Sequence, residues 1–111
     1  MNSPEPILTG IAASGGTATG RVKIVSSIKD APSFEDGAVL VTTITDPSMV
    51  MMMAKACAIV CDVGGITSHP SIVSREMGVP CVVNTKNATT ILKDGQMVRV
   101  DGSLGKVYLE D

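Results

Sequence analysis

The 111-residue chain contains one histidine, His69, and its neighbours make it the first candidate for chemistry. It lies in Gly64-Gly65-Ile66-Thr67-Ser68-His69-Pro70, after an apolar run and before a segment with helical spacing. A strand, a glycine turn and a helix N-terminus, in that order, present backbone N–H groups and the positive helix end to an anion. An imidazole placed there can accept a phosphoryl group whose charge the same N–H groups stabilise. The hydroxyls of Thr67 and Ser68 could donate to phosphate oxygens or hold the ring. The same spacing fits a histidine beside a helix cap, with Ser68 as structural N-cap and the glycines as a turn.

Two other groups of residues invite a chemical reading. Cys57, Cys61, Cys81 and His69 could in principle ligate zinc, but the spacing is not that of a standard knuckle, and the four fall on separate elements. Buried structural cysteines are the simpler reading, and no metal site is expected. Met49, Met51, Met52 and Met53 suggest soft-metal binding, or an adaptable apolar face that packs the core or docks on partners. Asp62, next to the glycine turn, reads as a capping or structural carboxylate.

Composition removes several function classes. With 9 Lys+Arg against 11 Asp+Glu the net charge is −2, which disfavours binding to a phosphate backbone. Phe34 and Tyr108 are the only aromatics, too few for a base-stacking platform. The apolar stretch 49–63 contains Lys55 and falls short of the roughly 18 residues a spanning helix needs, so no membrane partner is expected. An odd cysteine count and an N-terminus without a basic or apolar run point to a reducing, cytoplasmic setting. At this length one domain is expected, residues 7–111, after a Pro-containing, linker-like lead-in over 1–6.

The elements that must position His69 follow from the pattern. Residues 7–12 and 19–25 read as strands joined by Ser14-Gly15-Gly16-Thr17, and 28–36 as a polar, turn-rich stretch. Residues 38–41 and 58–61 are continuous apolar runs, as fully buried strands require. Between them Asp46 is a candidate N-cap, with Pro47 at the first helical position of a helix carrying 49–56. A second helix opens near Thr67-Ser68, with Pro70 near its first position, and closes at Gly78; Ile72, Val73, Glu76 and Met77 are its expected apolar face. Strands over 80–83, 97–100 and 106–109 and a short helix or turn over 87–92 complete the chain. The fold class is α/β, a small sandwich of strands with two to three helices.

The stretch Gly64-Gly65-Ile66-Thr67-Ser68-His69, followed by Ile72-Val73-Ser74-Arg75-Glu76-Met77-Gly78-Val79-Pro80, resembles the phosphohistidine signature of the phosphoenolpyruvate (PEP)-utilising enzymes. That family includes pyruvate phosphate dikinase, phosphoenolpyruvate synthase, enzyme I of the sugar phosphotransferase system and rifampin phosphotransferase. Gly10, Ser14, Gly16 and Gly20 match its opening hairpin, and 37–41 with Asp46-Pro47 resembles its central strand and following helix. Asn87-Ala88-Thr89, Asp94-Gly95 and Asp101-Gly102 resemble its closing segment. The resemblance implies the family's swivelling β/β/α domain.

It also implies roles. His69 matches the phosphorylated histidine, which in the family normally accepts the phosphoryl group on Nε2. Thr67 matches the position where some dikinases and synthases are regulated by reversible threonine phosphorylation. Gly64, Gly65 and Ser68 would support the phosphate. Arg75 would either contact phosphate or pair with an acid such as Glu76. Pro70-Ser71 replaces the small pair usual after the histidine, and Asn84 stands where a glycine is common. The chain has neither the nucleotide-binding nor the PEP/pyruvate-binding domain of the family. ATP or PEP and magnesium are therefore expected on partner domains, with no cofactor bound by this one. The expectation is a phosphocarrier that does not turn over alone; the rival is a non-catalytic regulatory domain, like that appended to some pyruvate kinases.

Overall fold

The middle layer of the molecule explains the apolar runs. The computed structural model describes residues 5–110; residues 1–4 of the expected lead-in lie outside the described residues. Strands β4 (Val39–Thr42), β5 (Ala58–Cys61) and β6 (Cys81–Val83) are buried at every residue. They run parallel, with Val39 opposite Ala58 and Ile59 opposite Cys81. Burial on both faces is what a Val/Ile-rich sequence without alternation requires. On one face the side chains of Leu40, Ile59, Cys61, Cys81 and Val83 meet Phe34 and the helical Met49, Met52 and Met53. On the other, Val39, Val41, Val60 and Val82 meet Val98, Val100 and Val107 of a second sheet.

That second sheet is antiparallel: β1 (Leu8–Thr9), β8 (Lys106–Leu109), β7 (Met97–Asp101) and the first half of β3 (Thr17–Ile24). The second half of β3 pairs in parallel with β4, so β3 serves both layers. β2 (Ile11–Ser14) closes the other edge against β6, giving the order β1-β8-β7-β3-β4-β5-β6-β2. Two β layers and a helical layer form the expected β/β/α sandwich.

The expected strand over 7–12 is therefore two strands. The chain leaves one sheet at Gly10 and joins the other, and a Cβ at Gly10 would strike the Val83 carbonyl oxygen. Apolar residues stand on both sides of Gly10, so the pattern alone reads as one strand. The turn-rich 28–36 contains a 3-10 segment, Ile28–Ser33, held by a capping box: Ser27 Oγ accepts from Lys29 N–H, and Asp30 accepts from the Ser27 amide. Asp46 caps as expected, accepting from Ser48 N–H at 2.8 Å. The first turn is a 3-10 segment, Pro47–Met49, before α1 (Val50–Lys55).

Helix α2 spans His69–Met77 and closes at Gly78 with φ 72°. Its packed face differs from the expected one. Pro70, Ser71 and Ser74 are buried, Val73 and Met77 pack on the core edge, and Ile72 and Glu76 are exposed. Small side chains let α2 sit close on β2 and β6, which turns Ile72 outward. α3 is Ala88–Ile91.

Candidate functional site

The carboxyl ends of β4 and β5 lie side by side, and the loops that leave them meet at His69. Asp62 N–H donates to Thr42 O and Val63 N–H to Thr43 O, both at 3.1 Å, which continues the pairing beyond the strands. Ligand sites of open α/β sheets form outside such carboxyl ends. Thr45, 3% exposed, arrives from the β4 side and places its Oγ1 2.7 Å from His69 Nδ1. His69 is half-buried at the first position of α2, and among the described residues only its Nδ1 has a partner. Nε2 has none among the described residues.

The expected site residues come together here, with roles that differ in part from those the sequence suggests. Gly64 has φ +127°, and a Cβ there would lie 2.9 Å from Ser68 Oγ. No other residue type makes that turn without strain. Gly65 would meet nothing within 4 Å, so its side chain is not excluded sterically; its carbonyl is what matters. That oxygen accepts from Ser68 N–H at 3.1 Å and from the Ser68 and Ser71 hydroxyls at 2.7 Å each. Ser68 stands at the N-cap but makes no side-chain cap bond; its hydroxyl holds the loop instead. Ser71 of the unusual Pro70-Ser71 pair does the same.

Arg75 does not pair with Glu76. Its Nε donates to Ser71 O at 3.0 Å and its Nη2 to Ile66 O, which clamps the loop against α2. Thr67 is exposed, two residues before the imidazole. Of the first-turn amides, Ser68 N–H is already used and Pro70 has none. The amides of His69 and Ser71 remain as first-turn donors without an intrahelical acceptor.

Electrostatic arrangements support the same end of the fold. The Ser48 hydroxyl and amide hold the exposed Asp46 carboxyl below the usual carboxylate range, with a smaller contribution from His69. Asp62, 8% exposed, accepts from Thr89 N–H at 2.9 Å and from Thr89 Oγ1 at 2.5 Å. It is the structural carboxylate the sequence suggested, capping α3 from 27 residues away. Lys86 N–H donates to Asp62 O at 2.8 Å, and the following loop needs left-handed backbone at Asn84 (φ 58°) and Lys86 (φ 76°). Asparagine tolerates that conformation, which accounts for Asn84 in place of glycine.

The cysteines point elsewhere. Cys61 and Cys81 belong to the core between helices and sheet, while Cys57 packs against the inter-sheet core. Met49, Met52 and Met53 are core residues and only Met51 of the four is exposed. Thr45 is the contact to His69 that motif reading missed. The signal that finds it is topological: two adjacent parallel strands must end at the same edge.

A family model described as "PEP-utilising enzyme, mobile domain" matches residues 34–105. A probable phosphoenolpyruvate synthase of Archaeoglobus fulgidus is 55% identical over 102 residues, 92% of this chain and 14% of that protein. The phosphoenolpyruvate synthase of Pyrococcus furiosus is 52% identical over 108 residues, 97% of this chain and 13% of that protein. The chain thus spans about a seventh of the length of these relatives. The NMR structure of Enzyme I aligns with a TM-score of 0.60 at 35% identity, over 68% of this chain and 32% of that one. Aconitase X of Thermococcus kodakaraensis shares the fold, with a TM-score of 0.69 at 18% identity over 94% of this chain and 98% of that one.

Proposed function

The chain belongs to the PEP-utilising enzyme mobile-domain family, and from that premise we propose that it is a phosphocarrier that accepts a phosphoryl group on His69 Nε2 and passes it on. The observation that carries this reading is the 2.7 Å contact between Thr45 Oγ1 and His69 Nδ1. When Nδ1–H donates to the threonine oxygen, the lone pair is confined to Nε2. That lone pair attacks phosphorus, the bond from phosphorus to the donor oxygen breaks, and the electron pair leaves with the donor. The positive charge developed on the ring is held by the Nδ1–H···Oγ1 bond. In the second half an acceptor oxygen attacks, the P–N bond breaks, and its pair returns to Nε2.

The remaining residues position rather than react. Gly64, Gly65, Ser68 and Arg75 fix the loop, and the first-turn amides of α2 face the anion. The Arg75 clamp uses Nε and Nη2, and Nη1 is the donor it leaves for a phosphate. Thr67 is open to a regulatory kinase, and a phosphate there would set a second anion beside His69 and oppose transfer. Nucleotide or PEP, with magnesium, belongs to partner domains. Within this chain the buried Asp62 carboxylate is committed to Thr89 and is not free to ligate an ion.

The test is mass spectrometry of the chain after incubation with ATP, or with PEP, and a partner such as the P. furiosus relative. Acid-labile phosphate on His69, absent in His69→Ala, is the expected result. An unlabelled chain beside an active partner would leave the regulatory-domain reading instead.

A further inference from the structure

Thr45 reaches His69 from residues 43–46, which belong to neither a strand nor a helix. Its backbone must therefore be held by something other than a sheet ladder or a helical turn. The Thr43 carbonyl is tied by Val63 N–H at 3.1 Å, and Asp46 is tied by Ser48 N–H at 2.8 Å. Between those two points stands Thr45, only 3% exposed. Among the described residues its N–H has no carbonyl acceptor, and a buried amide without a partner is costly. The group that meets it is the Cys61 thiol, to whose sulfur the Thr45 amide hydrogen-bonds.

The fold places Cys61 for this contact. It ends β5, stands opposite Thr42 of β4 and is fully buried. Its side chain lies in the helix-side core with Met49, four residues beyond Thr45. Its own backbone is locked, because its carbonyl accepts from Thr85 Oγ1 at 2.9 Å and from Thr85 N–H at 3.2 Å. Burial raises the thiol above its ordinary range, the neighbouring Cys81 adds to that, and the Thr45 amide opposes it. A neutral sulfur thus faces the amide as a weak acceptor.

We propose that Cys61 is a positioning residue for phosphoryl transfer: its sulfur accepts the Thr45 N–H and so sets the backbone from which Thr45 Oγ1 meets His69 Nδ1. The proposal rests on the phosphocarrier reading. Groups that do chemistry must be held to within about 0.5 Å by neighbours that are themselves locked in place. Cys61 is such a neighbour; it touches no reacting atom and acts through Thr45 alone. A cysteine that only filled space could be exchanged for an apolar side chain of similar size. An acceptor could not.

Threonine and valine share a shape and differ in the acceptor, so Cys61→Thr and Cys61→Val separate the two roles. With the P. furiosus phosphoenolpyruvate synthase and ATP or PEP, Cys61→Val should lower the maximal rate of His69 labelling about fivefold, at an unchanged half-saturating concentration. Cys61→Thr should stay within about twofold of the unsubstituted chain. Thr45→Val combined with Cys61→Val should label no slower than Thr45→Val alone, since both act through one contact. Hydrogen exchange of the Thr45 amide should be faster in Cys61→Val and unchanged in Cys61→Thr. Cys61→Ala should match Cys61→Val and takes its place if the valine variant does not fold. Cys81→Ala, which removes the other thiol of the same core, should keep the labelling rate. Equal rates and equal Thr45 amide exchange in Cys61→Val and Cys61→Thr would overturn the proposal. So would losses that multiply in the double variant, or a loss in Cys81→Ala as large as in Cys61→Val. If an active partner does not label the unsubstituted chain, the phosphocarrier reading itself fails, while amide exchange still reports whether Cys61 holds Thr45.

Discussion

At the scale of single residues the proposed chemistry turns on the 2.7 Å hydrogen bond between Thr45 Oγ1 and His69 Nδ1, which leaves Nε2 the free nitrogen when Nδ1–H is the donor. Replacing Thr45 by valine removes the acceptor while keeping the shape. His69 labelling should slow roughly tenfold, the effect of one lost hydrogen bond of about 1.5 kcal/mol. Thr45→Ser should restore it. Nitrogen-15 NMR of the imidazole should show the Nδ1–H form in the native chain and a mixed tautomer in Thr45→Val. An unchanged tautomer with an unchanged rate would remove Thr45 from the mechanism. His69 itself is conspicuous in the sequence, as the sole histidine between a glycine turn and a helix start. Thr45 is not, because a buried threonine after a strand has no signature until β4 and β5 are known to be neighbours.

At the scale of elements, the loop between β5 and α2 is fixed by a few groups with unequal tolerance for change. Gly64→Ala must place a Cβ against Ser68 Oγ at a positive φ, and should cost about 1–3 kcal/mol in a denaturation midpoint and misplace His69. Gly65→Ala meets no atom within 4 Å and should leave stability within about 0.5 kcal/mol. If the two variants behave alike, the loop is held differently from this account. Asp62→Ala removes the only side-chain cap seen for α3 among the described residues and should cost about 1–2 kcal/mol by the same measurement. Strands β4 to β6 are readable from sequence because burial on both faces erases alternation. Gly78 ends α2 where expected, and Asp46-Pro47 starts a helix where expected. The packed face of α2 is not readable, since close approach to β2 and β6 selects Ser71 and Ser74 over the more apolar Ile72. The crossing at Gly10 is hidden because apolar residues continue on both sides of it.

At the scale of the molecule, two apolar cores flank one buried sheet. The helix-side core also sets a pH dependence. Burial pushes the Cys81 thiol up to about 11 and raises Cys61 further, from an ordinary value of 9.0. Because the folded state disfavours both thiolates, their contribution to stability is complete below about pH 9 and is lost as pH rises toward 11. A denaturation midpoint that falls over that interval, less steeply in Cys81→Ala, is the expected result; no change there would contradict it. Composition argues against a nucleic-acid binder, and the relatives are some seven times longer than this chain. The central claim is phosphoryl transfer through His69. Its most direct measurement is phosphorus-31 NMR of the chain after incubation with PEP or ATP and an active phosphoenolpyruvate synthase. The account predicts an acid-labile phosphoramidate on Nε2 that is missing in His69→Ala; phosphate on Nδ1, on a hydroxyl or on no residue of the chain would contradict it.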